Sequence, residues 1–218
     1  MSKLQIIAII LCVTSLAAQE KSATSLVAAA ARGNETAAEL LLKNGADING
    51  IAMVGDTPIS PPGMAVANGK TAMVRYLIKA GANVNLEFSE NRTALMMACQ
   101  KDKNEILTEL ISAGANVNFT TRSGETPLMA AAGRGFDAVT EKLLAAKADV
   151  NKVGKTGGTA LIAAAAMGHE TIVKMLLAAG ANTVGKATMG DKQQSALEAA
   201  EARGHANIVK LLKGAGAK

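Results

Sequence analysis

Side chains that could do chemistry are few in this sequence, and their spacing keeps them apart. His169 and His205 each directly follow a glycine, Gly168 and Gly204, at equivalent places in two related stretches. Neither is joined by cysteines or by clustered acids, and a transition metal needs several such donors converging on one point. They read as turn and helix-start residues, so no metal ligand is expected. Cys99 occupies a position filled by Ala30, Ala132 and Ala165 elsewhere, which predicts a buried structural thiol. Gly133-Arg134-Gly135 has the look of a fragment of a phosphate-cradling loop, but Gly135 already has a duty in a chain reversal. No Ser-His-Asp set and no paired carboxylates are brought together. Catalytic residues and cofactors are both expected to be none.

What positions these residues is a repeat. A leucine recurs at Leu26, Leu95, Leu128, Leu161 and Leu197, with Pro62 in its place in the second unit. Seven positions later stands a turn residue: Gly33, Gly69, Asp102, Gly135, Gly168 or Gly204. The closing residues Asn85, Asn118 and Asn151 are 33 apart, a period that signals a solenoid. Within a unit the pattern predicts helix, tight turn, second helix and loop. Thr126 can cap the first helix, Pro127 suits the first helical position, and Val139, Leu143 and Leu144 form the apolar stripe of the second. Gly45, Gly81, Gly114 and Gly180 are expected to be left-handed residues ending the second helices, with Lys147 in that place in unit four.

Gly124-Glu125-Thr126-Pro127-Leu128-Met129-Ala130-Ala131 closely resembles the opening of the ankyrin repeat, and Ala148-Asp149-Val150-Asn151 its closing loop. Thr93-Ala94-Leu95, Thr159-Ala160-Leu161 and Ser195-Ala196-Leu197 are weaker copies. The resemblance covers residues 22–218. It implies an all-α fold: a curved solenoid of six helix-turn-helix repeats joined by β-hairpin-like loops, at about 22–49, 50–85, 86–118, 119–151, 152–184 and 185–218. It also implies a concave face lined by first helices and loop tips, and a protein as partner. Histidine after the turn glycine is common in this family.

Composition agrees with stacked thin helices: 49% of residues are hydrophobic, yet there are one Tyr, three Phe and no Trp. One unit cannot bury its own apolar face, and stacked neighbours do it. The net charge of +5 is spread without a basic run or aromatic platform, so nucleic acid is not an expected partner. Lys3, the apolar run Leu4–Leu16 and the small residues near Ala17 and Ala18 read as a cleaved secretory signal over 1–18. The run is shorter than the roughly 20 residues that a membrane span needs. Leu11 before Cys12 fits poorly with lipid attachment. The mature chain, 19–218, is then expected in a bacterial periplasm or outside the cell, with a partner protein in the envelope, in a role such as stress protection, or at a host surface. Cys99 is left without a disulfide partner once Cys12 departs. A monomer without a membrane span is expected.

Units one and six should serve as caps, the first through Lys21, Arg32 and Glu35, the last through Glu198, Glu201, Arg203, Lys210 and Lys213. Unit two carries three surplus residues in the loop Gly50–Ile59, either a binding device or drift in a tolerant loop. Its first helix, opening Ser60-Pro61-Pro62-Gly63, is predicted to be short or distorted, because proline and glycine are poor in helix interiors. Unit five closes at Val184, with a second surplus in the loop Gly185–Gln194.

Partner contacts are expected at loop tips and the ends of first helices: Phe88, Ser89, Glu90, Arg92, Lys101, Arg122, Glu125, Arg134, Lys155 and Met167. Phe88 has two candidate duties, aromatic anchor or packing beneath its loop. Met96 and Met129 stand where the ankyrin signature has histidine, with Met64, Met97 and Met167 on or next to the same helices. Packing between units is the favoured role of Met96 and Met129. The alternative is an adaptable apolar face that carries a small ligand or a metal group such as copper or haem.

Overall fold

The computed structural model describes residues 22–189 and 192–217. The expected leader, Cys12 and the outer position Lys21 lie outside the described residues. The chain divides into two compact units, one running to Ser89 and the other from Glu90.

The first unit opens with helix α1 over residues 22–32, followed by α2 (Glu35–Lys43). The surplus loop then forms a tight antiparallel hairpin of β1 (Ala52–Val54) and β2 (Thr57–Ile59), with Ala52 opposite Ile59 and Val54 opposite Thr57. Gly55 at its tip has a φ of 60°, the left-handed geometry that such turns need. Helices α3 (Pro61–Ala67) and α4 (Thr71–Lys79) complete the unit.

Helix α3 is short, as one half of the expectation had it, and is not distorted, against the other half. Ser60 is extended and its hydroxyl accepts from the Gly63 N–H at 3.2 Å, while Pro61 and Pro62 occupy the first positions, whose N–H groups have no helical partner anyway. The helix has seven residues, as does α5 in the second unit. Gly63 is there for space: a Cβ would lie 2.7 Å from Cζ of Phe88.

The second unit repeats the pair four times among the described residues: α5 (Ala94–Gln100) and α6 (Asn104–Ser112), α7 (Pro127–Arg134) and α8 (Asp137–Ala145), α9 (Ala160–Met167) and α10 (Glu170–Ala178), α11 (Ala196–Ala202) and α12 (Ala206–Gly214). Thr93, Thr126, Thr159 and Ser195 cap the first helices, each hydroxyl accepting from the backbone N–H three residues on. The turns after these helices take left-handed residues, with φ of 77° at Gly135 and 82° at Gly168. Asp102 does the same work at 51°. The chain can therefore reverse within two or three residues, and each second helix runs back along the first.

First helices lie side by side in chain order, α5 to α7 to α9 to α11, and second helices follow the same order. Leu95, Leu128 and Leu161 are buried at the centre, with Ala98, Ala131 and Ala164 one turn on. Alanine allows close approach, and each buried leucine contributes about 1.5–3 kcal/mol. The closing asparagines stitch successive loops. Asn118 Oδ1 accepts from the Asp149 N–H, and Asn151 Oδ1 from the Asn182 N–H, both at 2.7 Å. Val184 occupies the next place and cannot continue the ladder through its side chain. The surplus loop that follows forms a second hairpin, β3 (Lys186–Met189) with β4 (Lys192–Ser195).

Both expected caps are polar in large part. Arg32 and Glu35 are exposed in the first unit, although Leu40 is also 62% exposed. In the last pair, Lys213 reaches Glu201 at 2.9 Å while Ile208 and Leu212 turn inward.

Candidate partner-binding groove

The groove lies in the second unit and is built on loops that close on themselves. In the loop before α7, the Thr121 N–H donates to the Glu125 carbonyl at 3.0 Å, and the Gly124 N–H to the Thr121 carbonyl at 2.8 Å. The Thr121 hydroxyl accepts from the Glu125 N–H at 3.1 Å and pairs with Ser123 Oγ at 2.9 Å. A five-residue finger results, closed at its base by these local bonds. The next finger repeats the closure through the Gly154 N–H and the Gly158 carbonyl, 2.8 Å apart.

Glycines let the fingers stack. A Cβ at Gly124 would stand 2.6 Å from the Lys155 amide nitrogen, so only glycine admits the neighbouring finger. Beyond it, the Thr188 N–H donates to the Thr156 carbonyl at 2.7 Å, which ties hairpin β3–β4 to the same row.

Two depressions adjoin along this row. The first, about 390 Å³, lies between Glu90, Arg92 and Gln100 on one side and Thr121, Arg122, Ser123 and Glu125 on the other. The second, about 500 Å³, runs from Glu125, Met129 and Arg134 across Ile162 and Ala163 to Met167, Thr156 and Thr188. Glu125 is their shared wall. Its carboxylate accepts from Gln100 Nε2 at 3.2 Å and lies 3.7 Å from Arg134 Nη1, which also donates to the Ala130 carbonyl at 3.2 Å. The first depression is lined by polar side chains of mixed charge, and the second is mainly apolar.

Six of the expected contact residues meet here: Glu90, Arg92, Arg122 and Glu125 at the first depression, Arg134 and Met167 at the second, with Glu125 in both. Lys101 and Lys155 are exposed and line neither. Ser89 is half-buried and belongs to the first unit. Phe88 is a correction. It is only 6% exposed, and its ring fills the space over Gly63, so of its two candidate duties it has packing. An aromatic side chain buries too much area to stay in water when a glycine leaves it a seat.

Ile162 was missed, and the sequence did hold a signal for it: it stands three residues after the cap Thr159, as Met129 does after Thr126. Thr188 comes from the second surplus loop, whose folding back over Thr156 has no local signature.

Met96 and Met129 are buried and serve packing, while Met167 is 58% exposed. The two histidines also have structural duties. His169 Nε2 is 3.3 Å from the Gly133 carbonyl and its ring covers Gly135; His205 Nε2 is 3.3 Å from the Ala166 carbonyl and its ring covers Gly168. Each histidine thus fastens its repeat to the one before. Burial pushes the Cys99 thiol well above its ordinary pKa, which suppresses the thiolate. Among the described residues no group of His, Cys, Asp or Glu is arranged to hold a metal ion, and no helix is long and apolar enough to cross a membrane.

A family model described as ankyrin repeats (three copies) matches residues 26–121, 62–153, 95–187 and 140–218. No curated protein matches the chain.

Proposed function

The chain belongs to the ankyrin repeat family, and from that premise we propose that it is a non-catalytic scaffold that binds another protein along its first helices and loop tips. Ankyrin repeats generally mediate protein–protein interaction. The observation that carries the reading for this chain is the pair of adjoining depressions from Arg122 to Met167, held between fingers that are closed by their own hydrogen bonds. Preorganised fingers lose little entropy on binding, so a few contacts suffice for affinity. A carrier of copper, haem or another small ligand would need a row of accessible thioethers. Met96 and Met129 are occupied in packing, which favours the protein-binding reading.

The finer reading has six repeats, at 22–49, 50–85, 86–118, 119–151, 152–184 and 185–218, in a monomer exported by a signal over 1–18. An exported chain meets partners in the bacterial envelope or at a host surface, and envelope stress protection fits such a location. Photocrosslinking from cell extract tests the binding surface. A crosslinker at Met167 should capture a partner that one at Lys174, on the outer face of α10, does not. Capture only from Lys174 would overturn the groove assignment. Sequencing the mature N-terminus tests export: a start at Ala18 or Gln19 is expected, and a retained Met1 refutes it.

A further inference from the structure

We infer that the groove of the second unit selects a partner segment carrying an acidic group next to an apolar side chain; this deepens the protein-binding reading and rests on it. The argument concerns which charges at the groove are already engaged. Glu125, at its centre, is not a free acid: Gln100 donates to one oxygen at 3.2 Å, and Arg134 stands 3.7 Å from the other. Arg134 gives one nitrogen to the Ala130 carbonyl and approaches Glu125 with that same nitrogen. A guanidinium has five donors, so most of them remain available. Arg122 is exposed and makes no hydrogen bond or ion pair among the described residues. Exposed Lys101 and Lys155 stand on the adjoining helix end and finger, adding positive charge with no acid bound to their side chains. Glu90 is the acid at the rim that opposes this field.

The unspent donors on either side of Glu125 therefore ask for a carboxylate, whether of Asp, Glu or a chain terminus. A guanidinium can hold it with two parallel bonds. A basic segment would have to displace Gln100 and Arg134 from Glu125 and would face Arg122 across the depression. The apolar half of the demand comes from the adjoining depression, where exposed Met167 stands beside Ile162 and Ala163. Met is unbranched and polarizable and moulds to varied aliphatic or aromatic shapes. Because Arg134 borders that depression too, acidic and apolar groups of one extended segment are read together.

The test is selection of a random dodecapeptide phage library on the immobilised full-length chain. Affinities of enriched peptides are then measured for wild type, Arg122→Glu/Arg134→Glu and Met167→Arg, each shown by thermal unfolding to be folded. Enriched peptides should pair Asp or Glu with a large apolar residue. Their affinity should fall about tenfold or more in the charge-reversed variant, since one charge-assisted hydrogen bond accounts for that factor. It should also fall as salt is raised. Peptides that lack acids yet lose binding in Met167→Arg would overturn the acidic preference and leave the groove as the binding surface. Peptides indifferent to all three substitutions, or no enrichment at all, would overturn both.

Discussion

Replacing Gly63 by alanine reverses the usual sign of a helix substitution. In an unobstructed helix, alanine in place of glycine gains about 0.5–1 kcal/mol by restricting the unfolded chain. Here the new methyl would lie 2.7 Å from Phe88 Cζ, 2.9 Å from Cε1 and 3.2 Å from Ile59 Cγ1. The ring is 6% exposed, so it must push its neighbours to move away. Such overpacking costs about 1–3 kcal/mol, which outweighs the propensity gain. The net expectation is a loss of about 1–2 kcal/mol, read as a lower urea midpoint and a fall of about 2–4 °C in Tm per kcal/mol for a chain of this size. Leucine at 88 lacks both offending ring atoms. In a Phe88→Leu background the same Gly63→Ala change should be neutral or stabilising by up to about 0.5 kcal/mol, a coupling of about 2 kcal/mol in a double-mutant cycle. Equal penalties in both backgrounds, or a Gly63→Ala protein as stable as wild type, would refute the packing assigned to Phe88.

Lys147 follows the end of α8 at a φ of 65°, where its Cβ crowds the backbone, so Lys147→Gly should stabilise by about 0.5–1 kcal/mol in urea unfolding; a loss would mean that its side chain compensates elsewhere. Bonds from Lys186 and from the Ser195 backbone hold the Glu198 carboxyl below the ordinary carboxylate range. Its ionised form therefore stabilises at neutral pH, and the contribution is lost as pH falls through the ordinary carboxylate value to the lowered one. Urea midpoints from about pH 6 to about pH 3 should show a shallower acid decline in Glu198→Gln. Cys99 should resist alkylation at about pH 8 in the native protein and react at the rate of unfolding, followed by mass spectrometry; prompt labelling would contradict its burial.

The turn positions were legible because their cause is local. A residue seven places after each leucine must reverse the chain, and Gly135, Gly168 and even Asp102 adopt the left-handed geometry that this requires. Lys147 was legible for the same reason, by its alignment with glycines. The groove was partly legible: Glu125, Arg134 and Met167 stand at variable places in an otherwise constrained frame. Which of their charges are spent was not, because the bond from Gln100 to Glu125 depends on how α5 and α7 come together.

The distortion that is one of two expectations for the helix opening Pro61-Pro62-Gly63 shows where local reading ends. Propensity describes a helix interior, whereas these residues occupy its first turn, and the register was decided by the Ser60 cap. The repeat, its caps and its turns follow from the sequence by itself, since each depends on neighbours within a few residues. The burial of Phe88 over Gly63, the histidine clasps and the sharing of Glu125 between two depressions depend on side chains about 25 or more residues apart in the chain. Only the stacking of one helix pair on another decides which of those side chains meet.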